Sequence, residues 1–346
     1  MDDAMEPGAL DEAAPEGVAP LDVEELALLD DGKFRPTLFA HAATVDLRNG
    51  RTALHWACAC GMPCWCCVLI QAGSDANKAD FVGNTPLHEA ARAGNASCVC
   101  ALIKAGSAVG ARTRYGSTAL HEAAGNGHVA CVRELLKAGG DPDAPNLTRG
   151  LTPLHGASVC GHADCVEALL RGGGDPNRPD LDGLTPVTRG AALGSTECVE
   201  HLLAWGGSPD ASDVGGWGPL HAACMNGHTP CVAALLAAGA DPDQLDDDGE
   251  TAFTYALLRG RRALLPALYR AGATPFKTLL ADLPRKDHNK HAWDLVDKVA
   301  AQGGWREHVR AHRRAVSRVA GFCVGAHLPD DITGQIVDSW VPVGGY

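Results

Sequence analysis

The chain has 346 residues, of which 46% are hydrophobic but only 5% aromatic, and its formal net charge is −13. Such a balance excludes a general polyanion binder, because nucleic acid and anionic lipid would be repelled at long range. No run of 18 apolar residues is present, and the acidic start lacks the basic and apolar regions of a secretory signal, so neither a membrane span nor an export signal is expected.

Residues 1–31 contain eleven Asp and Glu and no Lys or Arg. Positions 1–20 read as an acidic disordered tail, too charged to bury a core. Positions 21–45 read as an N-terminal capping segment. There Val23, Leu26 and Leu29 fall at helical spacing behind Asp22, and Leu38–Ala42 takes the phase of half a repeat. A stack of repeats needs such a cover at its end.

From about 46 to 274 the chain is periodic. Segments opening at Thr52, Thr85, Thr118, Thr152, Thr185, Gly218 and Thr251 are spaced 33, 33, 34, 33, 33 and 33 residues apart. Each is followed 21 residues later by a glycine, from Gly73 to Gly272. The second unit shows the logic. Thr85 is a natural N-cap whose hydroxyl satisfies a free amide of the first turn, and Pro86 suits the first helical position. Leu87, Ala90 and Ala91 share one helical face until Gly94 ends the helix. A second helix starts near Ala96 and carries Val99, Leu102 and Ile103 inward, with Gly106 as its left-handed cap. Tyr115-Gly116 then signals the turn into the next unit. Neither helix is long enough to stand alone, so the units must stack.

The T-P-L-H-x-A opening and the period resemble the ankyrin repeat. The resemblance implies an all-α solenoid of seven helix-turn-helix units joined by hairpin turns, spanning about 50–79, 83–112, 116–145, 150–179, 183–212, 216–245 and 249–274. It further implies a protein-protein interaction scaffold, and that His55, His88, His121, His155 and His221 hydrogen-bond the neighbouring loop.

The first unit holds five thiols between Cys58 and Cys67, including a C-x-x-C at Cys64 and Cys67. A redox or metal role needs a low-pKa thiol or further well-spaced ligands. A single pair makes packing the favoured reading, with Cys58, Cys66 and Cys67 standing in for core Ala or Val. Cys98, Cys131, Cys165, Cys198 and Cys231 lie thirteen residues after successive unit starts. Equivalent positions in stacked helices are roughly 10 Å apart, too far for disulfides, so this ladder implies packing in a reducing compartment.

Catalytic signatures are missing from the sequence. His88-Glu89 and His121-Glu122 open like H-E-x-x-H, but Arg92 and Gly125 occupy the second ligand position. No phosphate-binding glycine loop or nucleophile elbow occurs, and neither an enzyme nor a cofactor or metal is expected. Three departures mark the fifth and sixth units as the softest: Thr188 replaces the histidine, Gly190 lies inside a helix, and Gly218 replaces the threonine cap.

Residues that do not recur are the candidates for partner binding. At the turn tips these are Phe81, Arg114, Tyr115, Arg149 and Trp217; on the first helices they are Trp56, Glu89, Arg92, Glu122 and Asn126. Aromatic residues and arginine dominate interface energetics, and the mixture suits a protein ligand better than DNA.

Residues 275–346 read as a small helical C-terminal cap. Between Arg285 and Arg318 nine Lys or Arg face four Asp or Glu, so this block is basic in an acidic chain. Leu328–Trp340 reads as an amphipathic helix opened by Pro329. Its L-P-x-x-I start resembles F-box motifs and the tail of SOCS boxes, which implies, as an alternative, a ubiquitin-ligase substrate receptor. The expectation is a monomeric scaffold for one or more protein partners, in the cytoplasm with the nucleus as the alternative, and with no membrane or nucleic acid partner.

Overall fold

The computed structural model describes residues 48–273. The acidic tail, both capping segments and the ligase-adaptor element at 328–340 lie outside them.

The described residues form seven helix pairs. The first helices are α1 (Ala53–Ala59), α3 (Pro86–Arg92), α5 (Ala119–Gly125), α7 (Pro153–Cys160), α9 (Pro186–Leu193), α11 (Pro219–Asn226) and α13 (Ala252–Leu258). The second helices are α2 (Pro63–Gln71), α4 (Ala96–Lys104), α6 (Val129–Lys137), α8 (Ala163–Arg171), α10 (Thr196–Ala204), α12 (Thr229–Ala237) and α14 (Leu265–Arg270), the last preceded by a 3-10 turn at Arg262–Leu264. Each first helix packs on the first helices before and after it, and the second helices form a parallel row behind them. The hairpins contain no strands among the described residues, only an isolated bridge between Leu245 and Thr251.

Three glycines per repeat make this geometry. Every residue with positive φ among those described is a glycine, at the hairpin (Gly83), between the helices (Gly94) and after the second helix (Gly106), with equivalents in all seven units. At Gly83 an added Cβ would lie 3.1 Å from the Arg114 backbone nitrogen, so the next hairpin can close down only on a glycine.

The core is a set of repeated layers. Leu54, Leu87, Leu120, Leu154 and Leu220 are buried on the first helices, with Ala90, Ala123, Ala157 and Ala223 letting those helices approach closely. On the second helices the Cys-Val-Leu triplets, such as Cys131, Val132 and Leu135, are buried in the same register. Each buried leucine contributes about 1.5–3 kcal/mol relative to exposure, which holds helices of this length in a stack that none could join alone. The cysteine ladder is therefore packing. Burial pushes the thiols of Cys131 and Cys165 up to about 11, and those of Cys198 and Cys224 to about 12. One expectation needs correction: Cys67 is exposed, because α2 turns its Cys66 face and not Cys67 to the core.

Candidate protein-interaction surface

The hairpins are held on the helices by histidine. Nδ1 of His88 accepts from the Thr85 backbone N–H at 3.1 Å, and its Nε2 meets the Ser117 carbonyl of the next hairpin at 3.2 Å. A backbone N–H can only donate, so Nδ1 is the bare nitrogen and Nε2 carries the proton. His55, His121 and His155 repeat this bridge to Asn84, Leu151 and Leu184, and His221 reaches Gln244 and Glu250. Burial holds all five imidazoles below the ordinary value of 6.5, His155 at about 4. The expected loop-bonding role is present. The threonine cap is present as well: the Thr85 hydroxyl faces the His88 backbone amide of the first turn in a capping box, and it also pairs with His88 Nδ1 at 2.9 Å.

A second ladder runs the other way and was not read from the sequence. His128 Nε2 donates to the Arg92 carbonyl at 2.9 Å, and His162 and His228 reach Gly125 and Ala192. Asn95 does the same for Cys58 at 2.7 Å. These side chains satisfy carbonyls at the ends of the preceding first helices. The signal was available as Gly-His pairs at 127–128, 161–162 and 227–228, in a fixed phase.

Rungs between hairpins complete the frame. The backbone N–H groups of Phe81, Arg114, Leu147 and Leu181 donate to Asn49, Val82, Tyr115 and Arg149 at 2.8–2.9 Å. The fourth hairpin is one residue longer, which moves its rung from the expected position to Leu147 and brings that side chain to the tip. Counting residues back from Thr152 missed it.

On this frame the ten candidate residues separate into groups. Phe81, Tyr115, Arg114 and Arg149 stand exposed on consecutive tips. Trp56 is exposed on the first helix, with the Arg51 guanidinium 5.4 Å from its ring centre. Asn126 is exposed at the end of α5, where its amide donates back to the Glu122 carbonyl at 2.8 Å. Glu89, Arg92 and Glu122 belong to one ion-pair chain across three repeats. Arg51 Nη2 and Arg92 Nη1 bind Glu89 Oε1 at 3.0 and 3.1 Å, and Arg92 Nε binds Glu122 Oε2 at 3.0 Å. Glu89 is buried, not outward-facing as expected, and burial raises its pKa against the pull of Arg92 and Arg51. Trp217 also departs from a free tip position. It is half-buried, stacked on His221 at 5.5 Å and edge-on to Tyr255 at 4.7 Å.

Among the described residues no group of three His, Cys, Asp or Glu is placed to hold a metal. The C-x-x-C thiols Cys64 and Cys67 are both exposed, whereas Cys66 Sγ lies buried 3.5 Å from Cys58 Sγ and 3.4 Å from Cys98 Sγ. No described helix is long and apolar enough to cross a membrane.

Seven helix pairs with hairpins in one register coincide with matches to the family model for ankyrin repeats (3 copies) at residues 27–113, 54–146, 87–180, 139–213 and 187–278. The chain belongs to the ankyrin-repeat family. Among solved structures, it is similar to the ankyrin repeat domain of human ASB11, with 29% identity and a TM-score of 0.58 over 65% of this chain and 100% of that one. It is also similar to the ankyrin repeat domain of Bcl-3, described as a unique member of the IkappaB protein family. There the identity is 30% and the TM-score 0.56, over 64% of this chain and 99% of that one. None of the curated proteins compared with the chain matches it. Ankyrin repeats are protein-protein interaction modules, and no catalytic family is indicated.

Proposed function

We propose that this protein is a non-enzymatic scaffold that binds a protein partner through its hairpin tips and the adjoining face of its first helices. One observation carries the reading. The residues that define the repeat are buried or bonded between repeats, while Trp56, Phe81, Arg114, Tyr115, Asn126 and Arg149, at positions that vary along the stack, face solvent from that frame. Side chains already fixed in place lose little entropy on binding, which favours them as interface anchors. Glu89, Arg92 and Glu122 then act at one remove, as the ion-pair chain that links the first three repeats. The net charge of −13 supports a monomer that engages neither nucleic acid nor membrane, and the buried free thiols support a reducing, cytoplasmic setting.

The test is photo-crosslinking in cells. A photoreactive amino acid at Tyr115 should trap a defined partner, whereas the same group at Arg133, exposed on the second-helix side, should not. Equal labelling from both positions, or none from the tips, would refute the assignment of the surface.

A further inference from the structure

Four consecutive hairpin tips form an apolar ridge that the fold itself does not require. Phe81, Tyr115, Leu147 and Leu181 remain 51%, 59%, 69% and 73% exposed, with Val82 beside the first. Three of the four are nevertheless seated. A Cβ added to Gly50, Gly116 or Gly150 would fall 2.6–2.9 Å from the side chains of Phe81, Leu147 and Leu181 respectively, so these three rest on the preceding hairpin's glycine. The rungs fix their backbones as well. The ridge is thus an array of preorganised apolar groups, one per repeat, about 10 Å apart.

The charge beside the ridge runs against that of the molecule. Arg114 and Arg149 are exposed and form no ion pair among the described residues. Residues 110–118 and 145–152 contain no Asp or Glu, and in 78–84 the single acid, Asp80, is buried against the amides of Val82 and Asn84. In a chain of net charge −13, this is a local cationic and apolar strip. Beyond Leu181 it stops abruptly, with Asp182 next and six acids in residues 241–250.

Resting on the scaffold reading above, we infer that the ridge from Phe81 to Leu181 binds an extended polypeptide segment of a partner, with apolar side chains about three residues apart and Asp or Glu between them. The spacing follows from an extended polyproline-II conformer, whose three residues per turn and rise of about 3.1 Å put every third side chain on one face about 9 Å apart, against tips about 10 Å apart. The acids face Arg114 and Arg149 and supply register and orientation, while apolar seating supplies the affinity. A basic segment is disfavoured by the two arginines, and the acidic hairpins beyond Leu181 limit how far an acidic one can extend.

The experiment uses the full chain and a fluorescent probe peptide of about thirteen residues, with Leu at every third position and Glu or Asp between, enough to span the four tips. Fluorescence polarisation should show binding, weakened at least about tenfold when Lys replaces the acids or Ser replaces the Leu. R114E/R149E should reverse the preference towards the Lys peptide, R114K/R149K should keep the original one, and Y115S/L147S should weaken both, with unchanged circular dichroism. Equal binding of all three peptides, or a preference unmoved by R114E/R149E, would overturn the inference. A peptide of the chain's own residues 1–31 that competed at least as well as the probe would overturn it too, by assigning the ridge to the acidic N-terminus. A partner crosslinked at Tyr115 whose binding survived R114E/R149E and Y115S/L147S would leave the scaffold reading standing while removing the ridge.

Discussion

Acidification should unfasten the hairpins. In five repeats the imidazole Nδ1 faces a backbone N–H donor in a buried site, so a second proton has neither room nor solvent there. Above pH 6.5 the imidazole is neutral in both the folded and the unfolded chain, and the strut's contribution is complete. As the pH falls from 6.5 towards 4, the unfolded chain takes up a proton that folded His155 refuses, and stability is lost. For His155 the fall from 6.5 to about 4 corresponds to about 3 kcal/mol, at roughly 1.4 kcal/mol per tenfold. The variant His155→Thr isolates this term, because it copies the pairs the chain already uses at Thr185–Thr188 and Thr251–Thr254. At neutral pH the variant should lose about 1 kcal/mol with the bond to the Leu184 carbonyl. Urea unfolding followed by circular dichroism at neutral pH and at about pH 4.5 should then show a loss smaller by about 2–3 kcal/mol in the variant than in the parent. An identical acid slope in the two proteins would refute the reasoning.

Three further outcomes follow from the frame. Hairpin 6 (residues 213–217) lacks the histidine strut, since Thr188 stands in its place, and Val214 makes no rung to Asp182 and is 93% exposed. Hydrogen exchange should be faster at 213–217 than at 180–184, and uniform protection across 183–245 would contradict this. Gly190→Ala should stabilise by about 0.5–1 kcal/mol in thermal unfolding, because sister repeats hold Ala at this position and a Val equivalent to Val199. The added Cβ lies 3.3 Å from Val199 Cγ2, so destabilisation would show that this valine cannot yield. Iodoacetamide applied to the native protein should modify Cys60, Cys64, Cys67 and Cys160 and spare Cys131, Cys165 and Cys198, as mapped by mass spectrometry. Early modification of the ladder would contradict its packing role.

What the sequence disclosed was the scaffold, because stacking forces the same residue types into the same phase. Thr85, Leu87, Ala90 and Gly106 each satisfy a local need that any repeat shares, and their recurrence displays it. The surface was harder to read, since its contacts join residues about one repeat apart with no common pattern. Glu89 looked outward by helical phase, but it is buried and paired with Arg92 and with Arg51, 38 residues earlier. Trp217 looked like a free tip until Tyr255 supplied the ring it packs against. Leu147 was hidden by the single extra residue of its hairpin, which shifts the rung without altering the period on either side. The second histidine ladder is legible only as a phased Gly-His pair, because His128 and His162 fall outside the T-P-L-H motif.

The most direct test of the scaffold claim is quantitative affinity capture with the full chain, comparing the parent with R114E/Y115S/L147S/R149E. A discrete set of proteins held by the parent and lost from the variant, at equal folded yield, is the predicted result. Recovery of the same proteins in the same amounts from both would contradict the account.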